Sequence, residues 1–537
     1  MKTYKGAELL VKALQDEGVD TVFTLPGFFI MDILYFLKKS KIKVITCRNE
    51  LSAAFAADGY ARSSGKIGCV IVNTGPSCLN TVMALKTSQK DGIPVVMFIG
   101  TDVYSRMRNE THFQVVNFPS EITKHKFILK AENLYNQIKT YFKFALTIPT
   151  APIVLEIPLD VSKSLVNYSN KQKNGLNDFL EKHENNCQDI GSSKLIDQLI
   201  GSLNKANKPL FVLGAGAVDT ISTRLIKKFV EKYNIPFVTT FAARGIISES
   251  HKMFVGMPGT IGNLESNKSL KESDLIIALG TRLSNRFLSD SDISKKLVYQ
   301  ININKDHIRN DLNVAPILTD VSLIMKSLIR RNDINIKKLW NKNNNQYHLT
   351  AKSKDWGITS SMGVLLKAIK KAIIFCDDGT YTVRLWQMAK VDKPRKLLFS
   401  GNMASGGHSI PGAIGAKMAN LNEKVVVITG DGGLLSIIGE LQVYSENNLG
   451  ILIVVFNNNS YDSITQWSHS YNIGFENSIK NADFSIIANG FGIESYKVTS
   501  LARLQTIIKN YKWDHPLFLE LIVPSEKVEI HFPRFPG

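Results

Sequence analysis

Several features that would mark a specialised class of protein are missing from this 537-residue chain. No apolar run approaches the roughly 18–20 residues that span a bilayer. The N-terminus up to Gly6 runs straight into an amphipathic stretch, without a signal-peptide core. The five cysteines have no paired metal spacing and are too few for a disulfide framework. We therefore expect free thiols, a cytoplasmic location and no membrane segment.

The sequence also lacks the motifs of a nucleic-acid reader, although its net charge is +18 and its pI is about 9.4. Lysine and arginine are spread along the whole chain, and their densest run lies within a polar stretch at 330–354. No zinc finger or RNA-binding aromatic motif accompanies them. We interpret the charge as a solvated basic surface and expect no nucleic-acid partner.

The bulk composition is that of an ordinary globular protein, with 44% apolar and 21% charged residues. The chain is too long for one hydrophobic core. Two polar stretches, at about 164–192 and 331–356, suit linkers between domains. They predict an N-terminal domain at 1–165, a central domain at 190–330 and a C-terminal domain at 356–537.

Short apolar runs alternate with helical stretches in all three blocks. Such alternation is typical of parallel α/β structure, and it predicts three doubly wound parallel-sheet domains. The predicted strands are 21–24, 43–46, 68–72, 95–99 and 153–157 in the first block, 209–213, 275–279 and 298–303 in the second, and 372–376, 425–429, 451–456 and 517–523 in the third.

A pair of glycines, Gly214-Ala215-Gly216, follows the first strand of the middle block. It is the beginning of a dinucleotide fingerprint or a tight strand-to-helix turn. The third glycine is missing at the right spacing, and no acidic residue clearly ends a following strand to hold a ribose. The spacing favours the turn.

The most informative motif joins two strand ends of the last block. Gly430-Asp431-Gly432 follows one strand, Asn457-Asn458 follows the next, and a stretch of helical length, 434–446, lies between them. Parallel strands end at the same edge of a sheet, where open α/β sheets bind ligands. Oxygen ligands beside a glycine turn suit a divalent cation that holds a diphosphate. We expect Asp431 and Asn458 to converge there.

Read with Arg48-Asn49-Glu50, this motif resembles that of the thiamine-diphosphate-dependent enzymes, in particular their acetolactate synthase-like branch. The resemblance covers nearly the whole chain, and its landmarks occur in the family's order. They are residues 17–23, 26–27, 48–50, 57–62, 74–76, 80, 113–114, 123–125, 280–282, 286, 377, 379, 411–416, 430–432, 457–458 and 466–467.

The resemblance implies thiamine diphosphate and Mg²⁺ as cofactors, with a pyrimidine-binding, a central and a diphosphate-binding domain. Glu50 takes the place of the glutamate that protonates the cofactor's pyrimidine ring and so activates it. The metal ligands are Asp431, Asn458 and the carbonyl of Ser460. Further residues at cofactor-binding positions are Pro26, Thr74, Asn80, Gly379, Thr380, Tyr381, Gly406, Gly432, Gly433 and Tyr461.

The same resemblance implies the substrate residues. The arginine matching Arg286 receives the carboxylate of a second 2-oxo acid, for which a guanidinium is suited. The tryptophan matching Trp467 shapes the pocket for its alkyl group. A surface ion pair for Arg286 and simple core packing for Trp467 stay open as alternatives. Gln114 is the second catalytic candidate, and the further pocket residues are Phe28, Phe29, Lys124 and Phe113.

The sequence departs from the family's pattern in three places. The bulky residue that holds the cofactor bent falls on Gly406, so either Met403 or another side chain substitutes for it, or the register of the match is shifted there. Phe28 and Phe29 stand where acetolactate synthases have small residues near the substrate. Ser284-Asn285 replaces two aspartates that, in the family, help position the substrate arginine and the nearby flavin site. Whether FAD binds, and whether the acceptor is the usual one, therefore stay open.

We therefore predict a carboligase that decarboxylates a 2-oxo acid, with pyruvate as the expected donor, and joins the two-carbon unit to a second carbonyl compound. The alternatives are a decarboxylase that does not ligate, a ligase with a specialised acceptor such as a keto-sugar, and an inactive partner subunit. Intact Glu50, Asp431 and Asn458 argue against the last. Because the family takes its two cofactor domains from different subunits, we expect a homodimer or homotetramer with active sites at the subunit interface.

Overall fold

The computed structural model describes residues 2–109, 111–112, 116–168, 193–289, 291, 293–336, 340 and 355–528. So far as they are described, these residues form two compact units. The first consists of Met1–Glu184, Lys371–Gly379 and Leu398–Val523, and the second of Asn185–Lys370, Thr380–Leu397 and Pro524–Gly537. Among the described residues, no helix combines the length and apolarity needed to cross a bilayer.

The N-terminal part of the first unit is built on a six-stranded parallel sheet in the order β3-β2-β4-β5-β7-β6. A short antiparallel pair, β1 with β8, lies outside it. The elements are β1 Thr3–Lys5, α1 Gly6–Asp16, β2 Thr21–Thr24, α2 Met31–Lys38, β3 Lys43–Thr46, α3 Glu50–Ser64, β4 Gly68–Asn73, α4 Pro76–Asn80, α5 Val82–Asp91, β5 Val95–Thr101, β6 His125–Ile128, α6 Leu134–Leu146, β7 Ile153–Pro158, α7 Leu159–Lys163 and β8 Leu165–Asn167.

The second unit holds a six-stranded parallel sheet in the order β11-β10-β9-β12-β13-β14. Its elements are α8 Ser193–Lys205, β9 Pro209–Leu213, α9 Thr220–Tyr233, β10 Phe237–Thr239, β11 Phe254–Gly256, α10 Leu264–Glu272, β12 Leu275–Leu279, α11 Asn285–Leu288, β13 Leu297–Asn302, β14 Val314–Leu318, α12 Val321–Arg330, α13 Ile358–Ala368 and α14 Thr380–Met388.

The C-terminal part of the first unit has a third six-stranded sheet in the order β16-β15-β17-β18-β20-β19, in which β15, β17, β18, β20 and β19 pair in parallel. Its elements are β15 Ile373–Cys376, β16 Leu397–Leu398, α15 Ser409–Ala419, β17 Val425–Gly430, α16 Asp431–Leu435, α17 Leu441–Glu446, β18 Ile451–Asn457, α18 Asp462–Ser470, α19 Phe484–Gly490, β19 Glu494–Val498, α20 Leu501–Asn510 and β20 Leu517–Ile522.

Helices α3 and α15 pack against each other inside the first unit with their backbones almost touching. A Cβ on Gly415 would lie 1.8 Å from the carbonyl oxygen of Ala56, and one on Gly59 would lie 2.0 Å from that of Gly412. Only glycine permits this approach. The contact places the beginning of α3, which carries Glu50, in a fixed relation to the third sheet.

The predicted fold class is confirmed, because three six-stranded parallel sheets are present. Each predicted strand is found, with its ends shifted by no more than about two residues. The segment Gly214-Ala215-Gly216 forms the tight turn, a 3₁₀ turn at Ala215–Ala217 closed by a hydrogen bond from the Ala217 amide to the Gly214 carbonyl at 3.0 Å.

Two local predictions are wrong. The stretch 434–446 is not one helix, because α16 ends at Leu435 and a 3₁₀ turn at Ile438–Glu440 precedes α17. That turn points the side chain of Glu440 into the protein, where it is fully buried. The first predicted linker begins later than expected, since β8 at Leu165–Asn167 pairs with β1. Most of both linkers, 169–192 and 341–354, lies outside the described residues.

Candidate active site

The end of β17 presents a buried carboxylate. Asp431 is 4% exposed and follows the last strand residue directly. Its carboxylate accepts hydrogen bonds from the Gly432 amide at 2.9 Å, the Ser460 amide at 3.3 Å and the Asn481 side chain at 2.8 Å. Burial raises the pKa of Asp431 above its usual range. Three donors therefore fix the position of this group at the edge of the sheet.

Asn481 is a residue of this edge that the sequence did not reveal. Its Nδ2 donates to Asp431 and, at 2.9 Å, to Oδ1 of Asn457. Asn457 in turn donates to Glu520 at 2.7 Å. Within the described part of the chain, Oδ1 of Asn481 is buried without a hydrogen-bond partner. An oxygen in that state suits a ligand or an ordered water.

The segment after β18 brings the other predicted ligands to the same edge. Asn458 is half-buried directly after the strand, and the Ser460 amide reaches Asp431. The segment is held by the Ser460 hydroxyl, which donates to the Asn477 carbonyl at 2.8 Å, and by a bridge between Ser460 and Ser478. The structure thus brings Ser460 to Asp431 through its amide. The predicted convergence of Asn458 on Asp431, and the role of the Ser460 carbonyl, stay predictions.

Two half-buried glycines let neighbouring side chains approach the backbone at this edge. A Cβ on Gly432 would lie 2.4 Å from Cε1 of Tyr461, and one on Gly433 would lie 2.7 Å from Oγ1 of Thr429. Side chains cannot be added there without displacing their neighbours. The donor set of carboxylate, carboxamide and main-chain oxygens, beside this glycine backbone, fits Mg²⁺ with a diphosphate.

Asp377, at the end of β15, anchors the neighbouring strand end. Its buried carboxylate accepts from the Ser409 amide at 2.9 Å, the Ser409 hydroxyl at 2.8 Å and the Thr429 hydroxyl at 2.8 Å. It therefore joins β15, the first residue of α15 and β17. Gly379, a predicted diphosphate residue, lies two positions further on and is half-buried.

Glu50 lies at the beginning of α3 and is 6% exposed. The helix is capped by Asn49, whose side chain accepts from the Ser52 amide at 2.8 Å. Oε2 of Glu50 accepts from Nδ2 of Asn80 at 2.9 Å, so the structure brings these two predicted residues together. The predicted acid is thus buried, and one of its oxygens is held by a hydrogen bond.

A second carboxylate that the sequence did not reveal lies beside this helix start. Oε1 of Glu440 accepts from the amides of Arg48 at 2.7 Å and Asn49 at 3.2 Å. Burial raises the pKa of Glu440 to about 7. The partners are 392 and 391 positions apart in the chain, and no spacing rule relates them.

The other residues predicted in the N-terminal part differ in exposure. Pro26 is exposed after β2, and Thr74 is buried after β4. Phe28 is 59% exposed, whereas Phe29 is 8% exposed and its amide donates to Oδ1 of Asn73 at 2.8 Å. The two rings meet edge to face at 5.2 Å.

Lys124 is placed at the end of α6. Its ammonium donates to the carbonyls of Phe144 at 2.9 Å and Thr147 at 2.5 Å and to the Thr147 hydroxyl at 2.6 Å. These bonds satisfy carbonyls at a helix C-terminus, a stabilising role that the sequence did not suggest. Phe113 and Gln114, the second catalytic candidate, lie outside the described residues.

Gly406 is exposed, and no heavy atom lies within 4 Å of where its Cβ would be. The space is therefore not filled by another side chain, and Met403 is itself 40% exposed. Trp467, on α18, is 44% exposed, and Tyr461 is 43% exposed. Of the two alternatives for Trp467, simple core packing fits this exposure poorly.

Three predicted residues belong to the second unit. Thr380 and Tyr381 are buried at the beginning of α14. Arg286 is half-buried in α11, with its guanidinium 5.6 Å from the centre of the Phe241 ring. The preceding Asn285 accepts a hydrogen bond from Arg309 at 3.0 Å.

Comparisons with known proteins agree with this arrangement. Three family models match: the N-terminal TPP binding domain of thiamine pyrophosphate enzymes at residues 4–120, their central domain at 196–328 and their C-terminal TPP binding domain at 377–521. The chain is 30% identical to a "Probable acetolactate synthase large subunit" of Methanococcus aeolicus, over 98% of this chain and 93% of that protein.

Similar relatives come from a bacterium and a plant. The "Acetolactate synthase large subunit" of Lactococcus lactis is 28% identical over 100% of this chain and 95% of its own length. The "Acetolactate synthase, chloroplastic" of Arabidopsis thaliana is 28% identical over 87% of this chain and 72% of its own. The similarity therefore extends through both units.

Proposed function

The chain belongs to the thiamine pyrophosphate enzyme family, and from that premise we propose that it is a thiamine-diphosphate- and Mg²⁺-dependent carboligase. It decarboxylates a 2-oxo acid, for which pyruvate is the proposed donor, and joins the two-carbon unit to a second carbonyl compound. The observation that carries this proposal is the oxygen-lined edge at Asp431, combined with similarity to acetolactate synthases along nearly the whole chain.

Asp431, Asn458 and the Ser460 carbonyl would hold Mg²⁺. The backbone at Gly432 and Gly433 would approach the diphosphate beside the metal. Gly379, Thr380, Tyr381, Gly406 and Tyr461 complete the proposed cofactor contacts. The hydrogen bonds to Asp431 support this assignment, since ligating carboxylates are commonly oriented by such outer partners.

Glu50 is the proposed catalytic acid. Its buried carboxyl would exchange a proton with the pyrimidine ring, while Asn80 holds one carboxylate oxygen in place. When bound, thiamine diphosphate supplies the electron sink that decarboxylation of a 2-oxo acid requires. Pro26 and Thr74 flank the proposed pyrimidine site, and Gln114 remains a proposed second catalytic residue.

Substrate binding is assigned to Arg286, Trp467, Phe28, Phe29 and Lys124. A guanidinium binds a carboxylate through two parallel hydrogen bonds, which suits an acceptor that is itself a 2-oxo acid. The exposed rings of Phe28 and Trp467 offer apolar contact to its alkyl group. The hydrogen bonds of Lys124 at the end of α6 weaken its own assignment.

The proposed assembly is a homodimer or homotetramer with active sites between subunits, and the proposed domains are 1–165, 190–330 and 356–537. The exposure of Phe28, Tyr461 and Trp467 in a single chain supports completion of the site by a second copy. Four described cysteines, Cys47, Cys69, Cys78 and Cys376, are buried and free, which supports a reducing, cytoplasmic location.

FAD is a separate question. Asn285 stands where the resemblance has an aspartate, and Arg309 already occupies its side-chain oxygen. FAD binding therefore stays open. An absorbance spectrum of the purified protein decides it: a flavin band shows that FAD is bound, and active protein without a flavin band shows that FAD is not needed.

The deciding experiment incubates the protein with thiamine diphosphate, Mg²⁺ and ¹³C-labelled pyruvate and follows CO₂ release and products by NMR. Acetolactate supports the proposal in full. A ligated product that forms only with an added keto-sugar or other carbonyl supports a carboligase with a specialised acceptor. Acetaldehyde alone would identify a decarboxylase that does not ligate and would overturn the proposal.

A further inference from the structure

We propose that Glu440 is a positioning residue for Glu50, because its carboxylate fixes the two main-chain amides that immediately precede the catalytic helix. This inference rests on the proposed function and deepens it. Nothing in the residue spacing pointed to Glu440, and the hydrogen bonds that its carboxylate accepts come from Arg48 and Asn49.

The geometry is specific. One oxygen of Glu440 accepts from the amides of Arg48 and Asn49 at 2.7 and 3.2 Å, with the Asn49 side chain at 3.5 Å. Asn49 is the cap of α3, and its own oxygen accepts from the Ser52 amide. The chain on either side of the cap is therefore held by two oxygens, one from Asn49 and one from Glu440. Glu50 is the next residue.

The site is an unfavourable place for a carboxylate. Glu440 is fully buried. The Arg48 guanidinium, whose charge lowers the pKa of Glu440, is engaged elsewhere, since it pairs with Glu446 and donates to the Thr46 carbonyl at 3.2 Å. A buried charge that lacks an ion pair costs more free energy than an apolar residue of similar size. What an apolar residue cannot supply is an acceptor for two backbone amides, and this favours a positioning role.

Among Glu440 and the titratable groups that face it, Glu440 is the group that titrates near neutral pH. Burial raises the pKa of Glu440 to about 7. Cys47 and Tyr444 also face it; burial raises the pKa of both, so both stay neutral at that pH. Arg48 is the charged side chain beside them, and its charge lowers the pKa of Glu440. An ionised carboxylate accepts hydrogen bonds from amides more strongly than a protonated one, so the start of α3 is held most firmly above pH 7.

The test compares Glu440→Ala and Glu440→Gln with the matched control Glu446→Gln, which removes an exposed carboxylate from the side chain of the same Arg48. In apoprotein, we expect faster amide hydrogen exchange of Arg48 and Asn49 in Glu440→Ala than in wild type or the control. In the loaded enzyme we expect kcat to fall about 10- to 100-fold, with KM changed less than about threefold, because the acid is displaced while the substrate site remains.

Glu440→Gln keeps an acceptor but cannot ionise. It should retain kcat within about threefold at pH 8. It should also lack the decline in kcat that we expect of wild type between pH 8 and pH 6, as Glu440 becomes protonated. An unchanged pH profile in Glu440→Gln would overturn the proposal even if Glu440→Ala fails to fold. Normal exchange and normal kcat in Glu440→Ala would overturn it as well.

Glu50→Gln separates this inference from the proposed function. If Glu50→Gln is inactive while the Glu440 variants behave as wild type, the positioning role is wrong and the proposed function stands. If Glu50→Gln retains full activity, the proposed function itself is wrong.

Discussion

Glu50 and Asp431 are two buried carboxylates, each at the beginning of a helix that follows a strand of a six-stranded sheet, but their surroundings differ. Asp431 accepts hydrogen bonds from three donors. In the described residues, the side chain of Glu50 accepts one, from Asn80. The same fold element thus fixes one carboxylate from several sides, which suits its proposed role as an ion ligand. It holds the other through one oxygen, which suits the proposed role of Glu50 in proton exchange.

The largest expected effect comes from Glu50→Gln. Turnover of pyruvate should fall about 10²- to 10⁴-fold, because the amide cannot exchange a proton as the acid does. Mg²⁺-dependent binding of thiamine diphosphate, measured by calorimetry, should stay within a few-fold of wild type. Full turnover in this variant would show that Glu50 is not the group that exchanges a proton with the cofactor.

Asp431→Asn should affect binding first. Removal of the ligating charge should weaken cofactor binding in the presence of Mg²⁺ by about 100-fold. The matched control is Glu476→Gln, a change at a nearby carboxylate that is 78% exposed. Calorimetric titrations at fixed Mg²⁺ compare the two, and equal affinities in both variants would contradict the metal site.

Asn481→Ala should have a smaller effect on the same site. It removes one of the three donors that orient Asp431 but leaves the proposed ligands in place. Loss of such a hydrogen bond to a metal ligand lowers metal affinity by about 10-fold or more. The matched control is Asn489→Ala, the same change at an exposed asparagine on α19. A Mg²⁺ titration at saturating cofactor gives the apparent affinity. Equal apparent Mg²⁺ affinities in the two variants would show that Asn481 does not orient a metal ligand.

The smallest expected effect is that of Gly406→Ala on stability. Since no atom lies within 4 Å of the added Cβ, the free energy of unfolding should change by less than about 0.5 kcal/mol. Gly415→Ala is the contrasting variant, because its Cβ would lie 1.8 Å from the Ala56 carbonyl oxygen. Denaturant unfolding checks both, and a large loss in Gly406→Ala would mean that this space is filled.

The sequence predicted the fold well because strands of a parallel sheet are buried on both faces and appear as continuous apolar runs. It failed at 434–446, where a 3₁₀ turn interrupts the expected helix and turns Glu440 inward. Helical periodicity does not distinguish a long helix from two short ones joined by such a turn.

Within the site, the spacing of the Gly-Asp-Gly motif predicted Asp431 and the family resemblance predicted Glu50, but neither indicated the residues that hold them. Asn481 is 50 positions from Asp431, and Glu440 is 392 positions from Arg48. These contacts depend on tertiary packing, including the close approach of α3 and α15, and no local pattern encodes them. Lys124 illustrates the converse, since its position in a motif gave no indication of its bonds at the end of α6.

The proposed roles of the two carboxylates, proton exchange at Glu50 and metal binding at Asp431, are tested most directly by exchange of the cofactor's C2 proton with deuterium. This exchange is followed by NMR at saturating thiamine diphosphate and Mg²⁺. The account predicts that Glu50→Gln binds the cofactor and slows this exchange by about 100-fold or more. Exchange at the wild-type rate in Glu50→Gln, with the cofactor bound, would contradict it.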